Sequence, residues 1–243
     1  MARNPKTAPE DAAPAMPPRD KIAAALMQLA GEQAWDEISI TAICARAGVT
    51  LAVFREFFPS KGAVLASYAR GIDLKVLAGG DGGLGDEPAK ERLFDVLMRR
   101  LDAMAPDKAG IQSVMAWARR DPLAMAALNQ VETNSMRFML EAAGITQEGP
   151  LGALKVQGLA LAWAKILAVW TKDEDGGLAA TMAALDRELT RGGQFVARAE
   201  DVQRLLSPLH SFARALCDTR KGFGERMRER WTPRETGDGA AAP

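Results

Sequence analysis

The stretch Ile43-Cys44-Ala45-Arg46-Ala47-Gly48-Val49-Thr50, continued by Phe54-Arg55-Glu56-Phe57-Phe58-Pro59-Ser60-Lys61, decides the fold. It predicts two short helices joined by a tight turn, and a further helix that starts at Ser60. Gly48 lies between two apolar runs, where a helix must end, and glycine takes φ > 0 there without a Cβ clash. Thr50 and Ser60 can each accept a hydrogen bond from the free N–H groups of the helix that follows. This arrangement is typical of a helix-turn-helix, whose second helix enters a DNA major groove.

The segment from Lys21 to Leu65 resembles the N-terminal domain of the tetracycline-repressor (TetR) family of bacterial transcriptional regulators. The resemblance implies an all-α fold, in which an N-terminal three-helix helix-turn-helix DNA-binding domain is joined to a C-terminal helical bundle. The features that carry it follow in order: an apolar face of the first helix, an aromatic residue after it, a cap for the second helix and a motif after the third. They are Ile22, Leu26 and Leu29, then Trp35, Ser39, and Phe58-Pro59-Ser60-Lys61.

The resemblance also implies which residues contact DNA. Lys61 matches the phosphate-contacting lysine of the family, and Thr50 can offer a hydroxyl to a phosphate or a base edge. Arg55 stands where most members carry a tyrosine, and its guanidinium brings more charge and five donors to the same phosphate. Leu51, Ala52 and Val53 depart from the family pattern. The candidate DNA-binding residues are Ser39, Thr50, Leu51, Ala52, Val53, Arg55, Glu56, Phe57 and Lys61.

The charge balance permits DNA binding but adds little to it. Between residues 19 and 70 there are six cations and five acids, a net charge of +1, and the whole chain has a net charge of zero. Phosphate contacts depend on Lys and Arg, so specific binding is possible and non-specific binding through charge alone is not favoured.

Enzyme and metal chemistry find little support in the sequence. His210 is the single histidine, and Cys44 and Cys217 lie too far apart for the usual zinc spacing. No Gly-x-Ser-x-Gly elbow is present, and the acidic run 173–175 lacks the ligand spacing of a calcium loop, so a solvated turn is expected there. We therefore expect no enzyme, no metal and no cofactor.

Composition divides the chain into five segments. The Pro-rich residues 1–18 predict a disordered tail, 19–78 the DNA-binding domain with a connecting helix, and the Gly-rich 79–87 a flexible loop. Residues 88–219 predict a helical ligand-binding and dimerisation domain, and 220–243 a loose tail. No signal peptide and no membrane-spanning run is evident, so a cytoplasmic protein is expected.

In the family the C-terminal bundle holds an effector, and here its predicted helices have apolar faces with few charges. A small hydrophobic effector is therefore expected, although a Met stripe at helical spacing is more often core than pocket. The candidate ligand-binding residues are Met98, Met115, Trp117, Met125, Phe138, Met139 and Trp163.

Regulators of this family are homodimers, because one recognition helix reads only a short half-site and two related by a two-fold axis read a palindromic operator in double-stranded DNA. The predicted interface uses the helices at 151–172 and 177–191, where small residues allow close approach. The tryptophans there could equally be core. The candidate interface residues are Ala160, Ala164, Ala168, Trp170, Met182 and Leu185.

An alternative remains open from the residues after 170. Residues 170–173, residues 181–189 and the helix beyond are similar to the lipid-binding accessory protein of ubiquinone biosynthesis, which has a TetR-like fold without acting as a repressor. This resemblance implies a bundle that binds a lipid and a last helix that meets a membrane surface. An ordinary core-facing helix has the same apolar pattern, which here comprises Leu205, Leu206, Leu209, Phe212 and Leu216.

Overall fold

The computed structural model of the chain describes residues 16–80 and 85–199, and for residue 150 only the backbone. Every regular element in these ranges is helical. The described residues up to Gln194 form one compact unit, and residues 195–199, the described part of a second unit, are helical. The predictions made for 1–15, 81–84 and 200–243, including both tails, His210, Cys217 and the last amphipathic helix, lie outside the described residues.

The N-terminal helices follow the predicted order. Pro18 is the first helical residue of α1, where its fixed φ and missing N–H cost nothing. A short 3-10 turn at Trp35–Glu37 separates α1 from α2. The bounds are α1 Pro18–Glu32, α2 Ile40–Ala47 and α3 Leu51–Phe57.

The local signals that set these bounds are confirmed. Gly48 ends α2 with φ +65°, the left-handed conformation that glycine adopts without strain. Ser39 Oγ accepts a hydrogen bond from the Ala42 N–H at 3.1 Å, and Thr50 Oγ1 accepts one from the Val53 N–H at 3.3 Å. Ser60 caps the next helix in the same way. Each cap satisfies an N–H group that the helix itself cannot pair.

Six further helices follow. Asp121 caps one of them, with its Oδ1 accepting from the Leu123 N–H at 2.8 Å, whereas Asp107 precedes another without a side-chain cap bond. A 3-10 turn at Ala105–Asp107 joins two of them. The bounds are α4 Lys61–Ala78, α5 Ala89–Met104, α6 Lys108–Ala118, α7 Pro122–Ala142, α8 Gly149–Trp170 and α9, which covers 179–199.

Two hydrophobic cores share the helices α1 and α6. Met27 of α1 belongs to the core of the bundle, and Val114 of α6 belongs to the core of the helix-turn-helix region. The two backbones approach closely, because a Cβ on Gly110 would lie 2.5 Å from the Met27 carbonyl oxygen. The helix-turn-helix region and the bundle are therefore packed against each other through these two helices.

The predicted solvated turn at 173–175 is wrong for Asp173. This side chain is buried, and its Oδ2 accepts from the Thr181 N–H at 2.9 Å and from the Thr181 hydroxyl at 2.6 Å. These hydrogen bonds hold the pKa of the carboxyl below its ordinary value. Asp173 therefore fixes the start of α9 instead of facing solvent.

The segment Leu151–Trp170 of α8 is, among the described residues, the one helix long and apolar enough to cross a membrane by length and composition alone. Its Trp163, Ile166 and Trp170 are buried in the bundle core. Core helices of soluble proteins have the same length and composition. This feature is therefore weak evidence for a membrane span.

Candidate nucleic-acid interface and ligand cavity

One face of α3 is anchored and the other is exposed. Phe54 is 3% exposed and packs in the helix-turn-helix core, where its ring lies 5.9 Å from that of Phe58. Val53 is half-buried. The exposed residues are Leu51, Ala52, Arg55, Glu56 and Phe57. Their side chains form a short surface of the size that a DNA major groove accommodates.

Of the two capping hydroxyls predicted to contact DNA, that of Thr50 directly precedes α3 and that of Ser39 lies at the start of α2. Ser39 and Thr50 are exposed, and each hydroxyl oxygen already accepts a hydrogen bond from its own helix. Ser39 Oγ also lies 2.8 Å from Thr41 Oγ1. A hydroxyl that accepts from a backbone N–H still has a proton to donate, so a phosphate oxygen could be bound without loss of the cap.

Lys61 points inward in this structure. Its Nζ donates to the Trp35 carbonyl at 2.5 Å and to the Ile38 carbonyl at 3.0 Å, and it lies 4.6 Å from the centroid of the Trp35 ring. Burial lowers the pKa of this ammonium group. Lys61 therefore joins α4 to the turn after α1, and its predicted phosphate contact would require the side chain to leave these carbonyls.

The remaining cations near α3 differ in their contacts. Arg46 forms two hydrogen bonds with the Glu32 carboxylate, at 2.7 and 2.6 Å, and these bonds lower the pKa of Glu32. Arg19 donates to Ser67 Oγ at 2.9 Å and lies 5.6 Å from the Phe58 ring. Arg55 is exposed on α3 itself. Arg55 is therefore the guanidinium best placed for a phosphate.

A cavity of about 890 Å³ lies in the bundle, with walls from α1 and from α4 to α8. This volume is within the range of small-molecule sites, and most of its lining is apolar. Of the predicted ligand-binding residues, Met115 and Met125 line it. Methionine side chains adapt to irregular apolar surfaces, so both suit such a wall.

The other five predicted ligand-binding residues do not line this cavity. Met139 and Trp163 are fully buried in the bundle core, and Met98 packs against that core. Trp117 stacks on Trp35 in the helix-turn-helix region. Phe138 is 54% exposed and lies at a separate surface depression lined by residues of α7 and the loop after it. The pattern of apolar residues identified the correct helices but not the side of each helix that faces the cavity.

The residues predicted for the dimer interface fall into three groups: cavity lining, bundle core and exposed surface. Ala160, Ala164 and Ala168 line the cavity, and of the three Ala160 is buried, Ala168 half-buried and Ala164 exposed. Trp170 and Leu185 are buried in the bundle core, the alternative that the sequence left open for the tryptophan. Met182 is 37% exposed on α9. Further exposed apolar side chains of α8, which the prediction did not include, are Leu154 and Leu161.

A charged cluster at the cavity wall was not predicted. Arg100 is 1% exposed and forms an ion pair with Asp73, and its Nη2 lies 3.4 Å from Glu132 Oε2. Ser135 Oγ donates to the second oxygen of Asp73 at 2.8 Å. Burial, helped by Asp73 and opposed by Arg100, raises the pKa of Glu132 above its ordinary value.

A sequence signal for this cluster exists. Arg100 occupies a position of the helical repeat whose other members on α5, Leu93, Leu97 and Met104, are apolar and buried. A charged residue at such a position is expected to be buried and to need a partner. Tyr68 adds a buried hydroxyl that has no hydrogen-bond partner of normal geometry within residues 16–80 and 85–199. Burial chiefly, and the nearby Asp107 carboxylate next, raise the pKa of this phenol.

In the part of the chain that the structure describes, no cluster of three or more His, Cys, Asp or Glu side chains could hold a metal ion. Cys44 is buried in the helix-turn-helix core, and burial raises the pKa of its thiol. A raised pKa leaves little thiolate, so this cysteine is poorly suited to bind a metal or to react.

The arrangement of helices matches that of solved TetR transcriptional regulators. The crystal structure of one from Nitrosomonas europaea ATCC 19718 aligns with a TM-score of 0.58 and 22% sequence identity, over 74% of this chain and 99% of that one. Another, from Rhodococcus sp. RHA1, aligns with a TM-score of 0.54 and 17% identity, over 72% of this chain and 95% of that one. No protein-family model matches the chain, and no curated protein matches it in sequence.

The fold is therefore the all-α TetR fold, with an N-terminal helix-turn-helix region and a C-terminal helical bundle. This confirms the predicted fold class. The predicted similarity to the lipid-binding proteins of ubiquinone biosynthesis is not found among these matches. At such low sequence identities the likeness concerns the fold, and function has to be argued from the site.

Proposed function

We propose that the chain is a DNA-binding transcriptional regulator, a repressor that uses α3 to read a major groove. The exposed face of α3, with Arg55 at its centre and Phe54 anchoring the opposite face, is the observation that carries this proposal. Leu51 and Ala52 can contact thymine methyl groups, and Glu56 can accept from a cytosine amine. Arg55 and the hydroxyls of Ser39 and Thr50 supply the phosphate contacts. Such a regulator acts on cytoplasmic DNA.

The regulator acts as a homodimer on a palindromic operator. One copy of α3 spans only a half-site, and a two-fold axis gives the second. Exposed large apolar side chains on α8 and α9 support a dimer through these helices, because a partner copy would remove them from water. They are Leu154, Leu161 and Met182.

A small hydrophobic effector bound in the cavity regulates DNA binding. Two of the helices that form its wall also hold the helix-turn-helix region: α4 follows α3 directly, and α6 carries Trp117, which stacks on Trp35. A ligand that fits the cavity better in one arrangement of these helices shifts the population of the protein toward it. The separation of the two copies of α3 then changes, and operator affinity falls.

Selection of bound sequences from random duplex DNA, with the full chain at moderate salt, tests the proposal. The expected result is enrichment of a palindrome with half-sites spaced by one or more helical turns. No enrichment from a folded, dimeric protein would contradict it. In that case the lipid-binding alternative would be tested next, by liposome binding and lipid extraction, since the helix on which it depends lies outside the described residues.

A further inference from the structure

The wall of the cavity carries two buried donors that have no hydrogen-bond partner in the part of the chain that the structure describes. Among the described residues, the Tyr68 hydroxyl and Arg100 Nε are inaccessible to solvent and have no hydrogen-bond partner of normal geometry, although the Asp107 carboxylate lies near the phenol. Both Tyr68 and Arg100 line the cavity. Buried polar atoms are paired in nearly all folded proteins, because an unpaired one costs free energy. The position of these two atoms on a cavity wall indicates that a molecule in the cavity supplies their partner.

The charges around these donors disfavour an anion. The positive charge of Arg100 is already balanced by its ion pair with Asp73, and Glu132 approaches the same guanidinium. Asp107 and Glu132 both act on the Tyr68 phenol. A carboxylate placed here would face several acids and one guanidinium that is already paired, so its desolvation would not be offset. A neutral oxygen that accepts a hydrogen bond meets no such repulsion.

The rest of the wall accommodates an apolar body. The side chains around the polar cluster come from α4, α5, α6 and α8, and they are hydrophobic: Ile72, Met104, Ile111, Val114, Met115 and Leu167. The other two cations of the wall, Arg119 and Lys165, are exposed, and Lys165 pairs with Glu188 at 3.1 Å. The wall therefore offers an acidic head group little free positive charge beyond Arg119.

We propose that the cavity binds a neutral, largely apolar molecule whose hydroxyl or carbonyl oxygen accepts hydrogen bonds from Tyr68 and Arg100. Its role as an effector rests on the proposed function, but its binding does not. The competing class of ligand, an acidic amphiphile such as a fatty acid, has its carboxylate at Arg119 and is an outcome of the test. A water molecule held by the two donors is another.

Three probes of matched shape, hydroxypyrene, methylpyrene and pyrenecarboxylate, test this assignment. Their binding to the full chain at neutral pH, without DNA, is followed by fluorescence. Hydroxypyrene is expected to bind most tightly. Methylpyrene should bind about fivefold to tenfold more weakly, because one hydrogen bond is lost, and pyrenecarboxylate should bind most weakly. Equal affinity for hydroxypyrene and methylpyrene would indicate that water fills the polar end, and tighter binding of pyrenecarboxylate would indicate an acidic ligand. Either result overturns the proposal.

Tyr68→Phe removes the hydroxyl and little else. In this variant the affinity for hydroxypyrene should exceed the affinity for methylpyrene by no more than about twofold. The affinity for methylpyrene itself should stay as in the wild type. The variant without ligand should be no less stable than the wild type, because the lost hydroxyl had no partner. Glu132→Gln provides a second test, since removal of this charge should improve pyrenecarboxylate binding several-fold and leave hydroxypyrene nearly unchanged. Unchanged preferences in both variants would overturn the assignment.

The proposal that the chain reads DNA and the proposal about the class of ligand can each be contradicted without affecting the other. If the probes bind as expected and no duplex is selected, the ligand site stands and DNA regulation falls. If a palindrome is selected and the order of probe affinities is reversed, DNA reading stands and the ligand class is wrong.

Discussion

The indole ring of Trp35 stacks on that of Trp117, with ring centroids 4.9 Å apart and an angle of 29° between the planes. Trp35 belongs to the turn between α1 and α2, and Trp117 belongs to α6, which also forms part of the cavity wall. Offset aromatic stacking adds to the burial of both rings. This contact joins the turn after α1 to α6, a helix whose other residues line the cavity.

Replacement of Trp117 tests the strength of that contact. Trp117→Ala is expected to lower the free energy of unfolding by about 3 kcal/mol, because a half-buried ring is lost and Trp35 is left partly uncovered. Trp117→Phe, which keeps a smaller ring against Trp35, should lose about half as much. Urea denaturation followed by circular dichroism measures both. Two variants as stable as the wild type would contradict the packing described.

The close approach of α1 and α6 predicts opposite behaviour for two glycines. Gly110→Ala places a Cβ 2.5 Å from the Met27 carbonyl oxygen, so α6 must shift, at a cost of about 2 kcal/mol. Gly31→Ala is the matched control, since its Cβ would meet the Ala109 Cβ at 3.4 Å, an ordinary contact. This second variant should be as stable as the wild type or slightly more so, because alanine favours helix.

Thermal unfolding of both variants under the same conditions makes the comparison. The account requires a lower Tm for Gly110→Ala than for Gly31→Ala. Equal Tm values would mean that α1 and α6 are not in close backbone contact.

Lys61 should contribute to stability whether or not it contacts DNA. Lys61→Met removes the donor to the Trp35 and Ile38 carbonyls while keeping an apolar side chain, and is expected to cost about 2 kcal/mol. Arg55→Ala, on the exposed face of α3, should change stability by no more than about 0.5 kcal/mol. Urea denaturation distinguishes the two, and a fully stable Lys61→Met variant would indicate that the ammonium group points to solvent.

Glu132 gives the fold a pH dependence. Folding raises the pKa of Glu132 above its ordinary value of 4.5, because the folded protein favours the protonated carboxyl. The stability that this preference contributes is fully present below pH 4.5 and is lost as the pH rises through the raised pKa. Asp73 and Tyr68 of α4, Arg100 of α5 and Trp163 of α8 surround the carboxyl. Glu132→Gln cannot ionise, so it should gain stability relative to the wild type between pH 4 and pH 7.

The measurement is the unfolding free energy of both proteins in urea across that pH range. A difference that stays constant with pH would show that folding does not change the protonation of Glu132.

The local features of the helix-turn-helix could be predicted because each depends on a few neighbouring residues. Gly48 must adopt a positive φ wherever a helix ends in a tight turn, and Ser39, Thr50 and Ser60 each cap the helix that follows them directly. The turn of Lys61 toward the protein could not be predicted in the same way. Its acceptors, Trp35 and Ile38, lie 26 and 23 residues earlier and are brought near only by the packed fold.

The cavity was harder to predict for a related reason. Met115, which lines it, and Met139, which is core, occupy similar positions in their apolar repeats. The side of a helix that faces a cavity depends on how its neighbours pack, which helical spacing does not encode. The alanine stripe of α8 illustrates the same limit, since small residues permit either a close helix contact or a cavity beside the helix.

The affinity of the selected duplex for the wild type, Arg55→Ala and Arg137→Ala, measured by fluorescence anisotropy over a range of salt concentrations, tests the central claim most directly. Arg137, exposed on α7 of the bundle, is the matched control for loss of one positive charge. The account predicts that Arg55→Ala binds more weakly and reduces the slope of log affinity against log salt by about 1, while Arg137→Ala binds as the wild type does. Equal affinity and slope for all three proteins, or equal binding of a scrambled duplex by the wild type, would contradict the claim that α3 reads DNA.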